Sequence, residues 1–424
     1  MPARKAEVTR RRFLQSTAAV MSSVAIVPAH VLGGSGRVPP GEKLGAALIG
    51  CGGRGPGTFD DLHRKHGLDV VKLAVCDVDR RRLELARQTA HKQGATDCEA
   101  YTDFRRVIER PDIDVVAIAT PPHWHALISI AAMEAGKDVL CEKPMTRFIA
   151  EGRAVADAAK RYGRVYQIGT YGRFSRHRRK DAIRTRKILT SGLLEKSDAV
   201  HILRGGFKAK QWSGLVNVEP RSIPDRLDWD LYQGPSPMRP FHPHRHGGSH
   251  RGYWDYEGGG LGDMGQHHLD PVTWEYGLDD TAPVEVVAHA PPAHPEVTGV
   301  WGWVELRYAN GLTLVLESGE WGRRYDRLEP KRVDSSRLDA DARAKLDALP
   351  DPEPLVGFGD AVRTRRQAGG NAEAAYRTVT IMHLANIAIR TGRRIRFDPV
   401  TERIVGDDEA NRLVDVPMRA PWHL

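Results

Sequence analysis

The chain has 424 residues, a hydrophobic fraction of 41%, and 63 lysines and arginines against 54 aspartates and glutamates. A chain of this length is longer than a typical domain with a single hydrophobic core, so we expect two domains. The hydrophobic fraction is ordinary for a globular protein. The net charge of +9 is modest and scattered, which disfavours a nucleic-acid-binding protein.

The first 33 residues follow the order of a twin-arginine export signal. Thr9–Gln15 carries the arginines, and the run Ser16–Leu32 after it is weakly apolar and uncharged. Val27-Pro28-Ala29 resembles a cleavage site, while an uncleaved membrane anchor and a disordered basic tail are the alternatives. We therefore predict a periplasmic protein carried by the twin-arginine machinery, with a linker at 34–43.

A glycine-rich turn follows the first predicted strand, Leu44–Gly50. Gly50, Gly52 and Gly55 stand in G-x-G-x-x-G order: the first permits a tight turn, the second admits a pyrophosphate, and the third allows close packing of helix on strand. We expect the following helix to begin near Thr58. The pattern indicates a dinucleotide site, although a simple loop is the alternative.

The second predicted strand, Val70–Asp77, ends on an acid at the place where the adenosine ribose is bound in such folds. Asp77 would accept hydrogen bonds from the ribose hydroxyls and repel a 2'-phosphate. NAD is therefore favoured over NADP. NADP stays an alternative because Arg80, Arg81 and Arg82 follow closely.

Strands and helices alternate up to residue 165, which is typical of a parallel sheet covered by helices. The further predicted elements are helices at Arg80–Gln93, Phe104–Glu109 and Trp124–Ala135 and strands at Val115–Thr120 and Asp138–Cys141. We predict a doubly wound parallel Rossmann domain at 44–165. Ligands of such domains bind at the carboxyl ends of the strands.

Longer strands of alternating pattern follow, and they predict an α+β domain at 166–424 with a large, open, mostly antiparallel sheet. These strands are predicted at Ala199–Arg204, Pro283–His289, Val300–Tyr308 and Leu312–Ser318. The stretch Gln211–Gly260 is rich in aromatic, His, Pro and Gly residues, a composition suited to binding polar rings. Ala372–Thr391 is predicted to be an amphipathic helix.

The candidate catalytic residues lie in Gly258–Asp270, which is predicted to be a glycine-rich start of a helix. Asp263 and His267 would then lie one turn apart on the same helix face. The acid would orient the ring and raise its basicity, so that the ring takes a hydroxyl proton as hydride leaves the same carbon. Lys143, which follows the strand Asp138–Cys141, would stabilise developing charge on the substrate oxygen or share the proton. A helix cap beside a satisfied histidine is the alternative.

Neither the loop histidines nor the cysteines are predicted to form a metal site. His242, His244, His246 and His250 lie in a Pro/Gly loop that does not fix metal geometry, so hydrogen bonding in a substrate loop is favoured. The cysteines have no metal or redox spacing, which favours buried free thiols. They are Cys51, Cys76, Cys98 and Cys141.

Four motifs together resemble the glucose-fructose oxidoreductase / inositol dehydrogenase family (Gfo/Idh/MocA). They are GCGGRG at 50–55, ATPPHWHA at 119–126, AGKDVLCEKPM at 135–145 and GGGLGDMGQHHLDP at 258–271. LDWDLYQGP at 227–235 and NRLVDVPMRAPW at 411–422 are similar to the exported bacterial branch.

The resemblance implies a Rossmann domain and an open-sheet domain with NAD(P) between them, oxidation of a sugar or polyol hydroxyl, and a dimer or tetramer. By position it makes Lys143, Asp263 and His267 the catalytic residues. The implied cofactor-binding residues are Gly50, Gly52, Gly53, Arg54, Gly55, Asp77, Thr120, Pro121, His125, Glu142 and Lys143. The candidate substrate-binding residues are Arg173, Tyr253, Trp254 and His268.

Export would separate the protein from free nicotinamide pools, so we expect a tightly bound cofactor that is recycled within the site. A redox-neutral NAD-dependent glycosidase or lyase, acting through a keto-sugar, is the alternative enzyme. A non-catalytic sugar-binding homologue is the second alternative.

Overall fold

The computed structural model describes residues 43–193, 199–331, 333 and 335–424. The predicted export signal and all but the last residue of the predicted linker therefore lie outside the described residues. Within the described ranges, no helix combines the length and the apolar character needed to cross a membrane.

The first sheet has six parallel strands in the order β3-β2-β1-β4-β5-β6, which confirms the predicted doubly wound arrangement. The strands are β1 (Leu44–Ile49), β2 (Val70–Cys76), β3 (Glu99–Tyr101), β4 (Val115–Ile118), β5 (Asp138–Cys141) and β6 (Tyr166–Ile168). Alternate residues of β1 enter two different cores, Ala47 and Ile49 on one face and Ala46 and Leu48 on the other. The sheet thus extends to β6, beyond residue 165.

Helices connect these strands, and short polar side chains cap several of them. They are α1 (Gly55–Arg64), α2 (Arg80–Lys92), α3 (Phe104–Ile108), α4 (His125–Glu134) and α5 (Ile149–Tyr162). Asp79 caps α2 by accepting from the backbone N–H groups of Arg81 and Arg82. The expected start of α1 near Thr58 is wrong: α1 begins at Gly55, because Pro56 is tolerated in a first helical turn.

The second sheet is also six-stranded, in the order β12-β11-β8-β9-β10-β7. Its strands are β7 (Val200–Arg204), β8 (Glu285–His289), β9 (Trp303–Arg307), β10 (Thr313–Glu317), β11 (Ile395–Asp398) and β12 (Arg403–Ile404). Among the described residues of this sheet, β10 and β7 are the one parallel pair, so the predicted mostly antiparallel sheet is confirmed.

The helices of this second part are α6 (Gly172–His177), α7 (Lys180–Thr190), α8 (Trp229–Gln233), α9 (Gly259–Tyr276), α10 (Ala340–Ala348), α11 (Phe358–Thr364), α12 (Ala372–Thr391) and α13 (Asp408–Asn411). The predicted amphipathic character of α12 is wrong, because α12 is buried on nearly all sides. It packs against α5, α9 and strands of both sheets. This central helix packs against both sheets and joins their residues in one hydrophobic core.

The aromatic stretch 211–260 also differs from expectation. Trp229 and Tyr232 stack with ring centroids 5.0 Å apart, and Tyr253 and Tyr256 are fully buried. These rings pack into small cores of their own, and Tyr232 in addition lines the cleft described below. The four cysteines are buried free thiols, as predicted.

Candidate active site

Three glycines give the turn after β1 the shape of a dinucleotide cradle. Gly50 has φ +95°, and a Cβ there would lie 2.5 Å from Ala119 and Thr120 backbone atoms. A Cβ on Gly55 would lie 2.0 Å from the Gly50 carbonyl oxygen, whereas one on Gly53 would meet nothing within 4 Å. The turn is therefore tight at both ends and open in its middle, where a pyrophosphate needs backbone access.

A polar network fastens this turn to the carboxyl end of β5. The Oε1 atom of Glu142 accepts from Arg54 Nε at 2.8 Å and from Thr58 Oγ1 at 2.7 Å. The Arg54 guanidinium also pairs with Asp61 at 2.9 Å. Arg54 and Glu142 thus hold the glycine turn beside Lys143, which directly follows Glu142 in the sequence.

Asp77 lies at the adenosine end of the cleft, directly after β2. Its Oδ2 atom accepts from Cys51 N–H at 2.7 Å and its Oδ1 atom from Asp79 N–H at 2.8 Å. Burial raises the pKa of this carboxyl group. The residues around it form a largely apolar slot between Phe104, Trp124 and Tyr232, which suits an adenine ring.

A segment of the second part covers this end of the cleft. Arg80 N–H donates to the Arg226 carbonyl at 2.9 Å, and Asp228 N–H donates to the Val78 carbonyl at 3.1 Å. Tyr232, at the end of the same segment, lines both halves of the cleft. We call residues 226–232 the clamp segment.

The wider half of the cleft is a cavity of about 590 Å³ lined by Lys143, His267, Arg251 and Glu257 among others. Lys143 Nζ donates to Asp263 Oδ1 at 2.6 Å and to the Asp263 carbonyl at 2.7 Å. An ammonium group has three N–H donors, so one remains for a substrate oxygen. Thr120 also lines the cleft, and its buried Oγ1 has no partner among the described residues.

Asp263 does not orient His267, contrary to the sequence-based expectation. Its carboxylate pairs with Lys143 and, at 2.9 Å, with Arg251. Burial opposes ionisation, but these two cations outweigh it and lower the Asp263 pKa to about 2. Burial and then the Lys143 charge lower the pKa of His267 to about 4, so this ring is a neutral base at pH 7 rather than one of raised basicity.

Several predicted contact residues lie outside the cleft. Tyr253 is fully buried, with its hydroxyl 2.9 Å from His244 Nδ1, and Trp254 donates from Nε1 to the His294 carbonyl. His125 is buried between the Pro144 and Thr120 carbonyls, at 2.7 and 2.8 Å. It therefore positions the Lys143 turn and does not face the cofactor cleft. His268 Nε2 lies 3.4 Å from the Gly206 carbonyl, away from the cleft lining.

Arg173, predicted to bind substrate, is instead buried in the protein interior. Its side chain is 2% exposed and pairs with Asp270 at 2.9 Å and Asp279 at 3.0 Å. The prediction is wrong because both carboxylates occupy the guanidinium, and the Asp270 side chain is fully buried.

We expect Arg173→Leu to lower the free energy of unfolding by about 3 kcal/mol, because it leaves the Asp270 carboxylate buried without its cation. Denaturant unfolding of the purified variant measures this loss. Arg106→Leu, at a side chain that is 68% exposed, is the control and should change stability little. An Arg173→Leu protein of unchanged stability but weakened sugar binding would restore the substrate role.

The sequence prediction missed Arg251, Glu257 and Tyr171, which all line the wider half of the cleft. Glu257 directly precedes the Gly258–Gly260 turn. Its position next to the helix that carries Asp263 and His267 could have identified it as a site residue. Arg251 has no local signal, because only the fold brings it to Asp263.

The four loop histidines have protein partners. His242 Nδ1 accepts from His244 N–H at 3.1 Å, and His250 Nε2 lies 3.1 Å from Glu257 Oε2. Burial lowers the pKa of His246 to about 4. Across the part of the chain that the structure describes, no group of three or more His, Cys, Asp or Glu side chains is arranged to hold a metal ion.

Comparison with family models decides the relationship of the chain to known proteins. Residues 44–170 match the model described as "Oxidoreductase family, NAD-binding Rossmann fold", and residues 179–424 match "Oxidoreductase family, C-terminal alpha/beta domain". The chain belongs to the Gfo/Idh/MocA oxidoreductase family. This membership confirms the resemblance carried by the four sequence motifs, together with the NAD-binding Rossmann fold.

Curated Gfo/Idh/MocA relatives match over limited stretches. Levoglucosan dehydrogenase of Pseudarthrobacter phenanthrenivorans is 46% identical over 85 residues, 20% of this chain and 21% of that protein. Inositol 2-dehydrogenase 4 of Saccharopolyspora erythraea is 37% identical over 135 residues, 31% and 38% of the two chains. A glycosyl hydrolase family 109 protein of Shewanella pealeana is 35% identical over 131 residues, 29% and 28%. The chain thus spans less than two fifths of these relatives.

Solved structures share the fold over most of the chain. Levoglucosan dehydrogenase in complex with NADH and levoglucosan superposes with a TM-score of 0.51 at 19% identity, over 84% of this chain and 99% of that chain. The WlbA dehydrogenase from Bordetella pertussis, in complex with NADH and UDP-GlcNAcA, gives 0.52 at 15% identity, over 84% and 99%. At these identities the likeness concerns the Gfo/Idh/MocA fold alone.

Proposed function

We propose that this protein is an NAD-dependent oxidoreductase that oxidises a hydroxyl group of a sugar, glycoside or polyol. The observation that carries the proposal is the position of Lys143, which bonds to Asp263 in the same cleft that the open glycine turn lines. Bound NAD would supply the acceptor for the hydride. The cofactor fits here because the cradle is open at Gly53, Asp77 lies at the ribose end, and the buried Thr120 hydroxyl lacks a partner.

Each catalytic side chain has one role in this proposal. His267 is neutral at pH 7 and accepts the proton of the reacting hydroxyl. The remaining N–H of Lys143 donates to the substrate oxygen and stabilises the charge that develops there. Asp263 holds the ammonium in place through two hydrogen bonds and thereby orients its third N–H group.

The charges of the cleft favour a neutral, hydroxyl-rich substrate. Lys143 and Arg251 share Asp263, Arg251 also lies 3.7 Å from Glu257 Oε2, and Arg54 pairs with Glu142. These three cations are thus matched by three carboxylates of the protein. Glu257 lies in the wall with its buried Oε1 lacking a partner among the described residues, while its Oε2 contacts His250. We assign Glu257 Oε1 to a substrate hydroxyl donor.

NAD is favoured over NADP, since the Asp77 carboxylate would repel a 2'-phosphate. We further propose that NAD is held tightly and recycled in the site. The clamp segment supports this, because its backbone bonds to residues 78 and 80 close the adenosine end. Recycling would fit an exported, periplasmic enzyme that has no free nicotinamide pool, and such export rests on the twin-arginine motif alone.

Cofactor analysis tests the proposal. The purified protein would be incubated with a panel of aldoses, glycosides and inositols, denatured, and its released nicotinamide identified by absorbance and mass. We expect NAD to be released and one sugar to convert it to the reduced form. Release of no nicotinamide, with none bound when it is added, would overturn the enzyme proposal.

The redox-neutral glycosidase is the second candidate, and the similarity to proteins named glycosyl hydrolase family 109 favours keeping it. Oxidation of a ring carbon acidifies the neighbouring C–H, which permits elimination of the glycosidic group. In the same experiment this enzyme would cleave glycosides while its nicotinamide is recovered oxidised.

The His267 pKa of about 4 places the acid limb of activity unusually low for a histidine base. We expect kcat/KM to be flat between pH 6 and 7 and to fall about tenfold per pH unit below about pH 4, where the ring becomes protonated. Rates measured across this range, with His267→Gln as the control lacking the limb, test the assignment. An acid limb near pH 7 would contradict the environment described for His267.

A further inference from the structure

A second cavity, separate from the cleft, is lined by three arginines. It has a volume of about 180 Å³ and lies between the start of α5, residues 235–237 and the C-terminal segment 412–418. Arg147, Arg390 and Arg412 contribute to its wall. This volume admits a small oxyanion and is too small for a nucleotide.

These arginines lack acidic partners among the described residues. Arg147 is 5% exposed, and its Nε and Nη2 atoms both donate to the Trp254 carbonyl. Arg390 lies over the Trp254 ring, 4.8 Å from its centroid. Neither side chain comes within ion-pair distance of a carboxylate in the described ranges, and burial followed by the Arg390 charge lowers the Arg147 pKa to about 9.

The two acids in the wall are already occupied. Glu151 Oε2 accepts from the backbone N–H groups of Arg147 and Phe148, and burial raises the Glu151 pKa to about 7. Asp255 pairs with Arg239 at 2.8 Å. The cavity is therefore cationic, and a buried cation without a counter-charge calls for an anion.

His123 also lines this cavity. It is 2% exposed, its Nε2 lies 2.9 Å from the Tyr232 carbonyl, and its buried Nδ1 has no partner in the described chain. A carbonyl only accepts, so Nε2 carries the proton, and burial lowers the pKa to about 3, which keeps the ring neutral. Nδ1 consequently presents a lone pair to a hydrogen-bond donor.

We propose that this cavity binds a small oxyanion that also carries a hydroxyl group, such as hydrogenphosphate or a short hydroxycarboxylate. The anionic oxygens contact Arg147, Arg390 and Arg412, and the hydroxyl donates to His123 Nδ1. The ligand would join the Lys143 turn, four residues from Arg147, to the C-terminal segment. It is a ligand site in addition to the cleft.

Calorimetric titration of the NAD-saturated protein tests the proposal, since bound NAD keeps oxyanions off the glycine turn. Two matched pairs of probes are used, glycolate with acetate and phosphate with sulfate at pH 7. We expect the hydroxyl-bearing member of at least one pair to bind more tightly than its match, by about tenfold. Which pair shows the difference distinguishes an organic acid from inorganic phosphate.

Variants locate the site. Arg412→Gln, at an exposed side chain, and Arg147→Gln should each weaken binding by about tenfold or more. Arg106→Gln is the control for general loss of charge and should leave binding unchanged. Because Arg412 is exposed, Arg412→Gln should fold normally, so weaker binding by this variant has no explanation in misfolding, as it could have for the buried Arg147→Gln. Equal binding by all proteins, equal binding of both members of both pairs, or no binding of any probe would overturn the proposal.

Discussion

A Lys143→Met protein is expected to retain bound NAD and to lose about 10³-fold or more in the rate of sugar oxidation. Lys143 supplies the N–H left over after Asp263 has accepted two bonds. The variant should fold, because Asp263 retains Arg251 as a cation partner at 2.9 Å. Single-turnover reduction of bound nicotinamide measures the rate without interference from product release.

Lys65→Met is the matched control, since Lys65 also lines the cleft but is 46% exposed and pairs with Asp61. It should keep nearly full activity. A Lys143→Met enzyme that oxidises sugar as fast as this control would remove Lys143 from the chemistry, whatever its cofactor content.

Gly55→Ala is expected to destabilise the protein by about 4 kcal/mol or to prevent folding, because the new Cβ would lie 2.0 Å from the Gly50 carbonyl oxygen. Relief of that contact requires α1 to move away from the sheet. Thermal unfolding without added cofactor measures this effect, which is a property of the fold and not of ligand binding.

Gly53→Ala separates binding from folding. A Cβ at Gly53 meets no protein atom within 4 Å, so stability without cofactor should be unchanged. If the pyrophosphate lies against this backbone, the methyl group should weaken NAD binding by about tenfold or more. Unchanged NAD affinity in Gly53→Ala would place the phosphates elsewhere.

The Rossmann half could be predicted closely because its signals are local. Short apolar runs become buried strands, Asp79 and Asp103 cap helices, and Gly50 and Gly55 have the steric reasons that the motif already contains. The sequence also assigned Lys143 and Asp263 to one catalytic group, although the two residues are far apart in sequence. It paired Asp263 with His267, and only the structure shows the pair that Asp263 forms with Lys143.

Errors arose where tertiary contacts decide a residue's role. The environment of Arg173 depends on Asp270 and Asp279, and the pKa of His267 is lowered by burial and then by the Lys143 charge. Neither effect follows from spacing within one helix. Likewise, α12 is surrounded by elements from both sheets, which its own periodicity does not reveal. Arg251 reaches Asp263 from a loop, and no local pattern indicates that contact.

Transfer of deuterium from a labelled sugar tests the central claim most directly. A sugar active in the panel would be labelled at its reacting carbon and incubated with the purified protein, and the released nicotinamide would be analysed by mass spectrometry. We predict reduced nicotinamide that carries the label, with transfer abolished in Lys143→Met. A product formed while the nicotinamide remains unlabelled and the sugar keeps its deuterium would contradict the proposed oxidation.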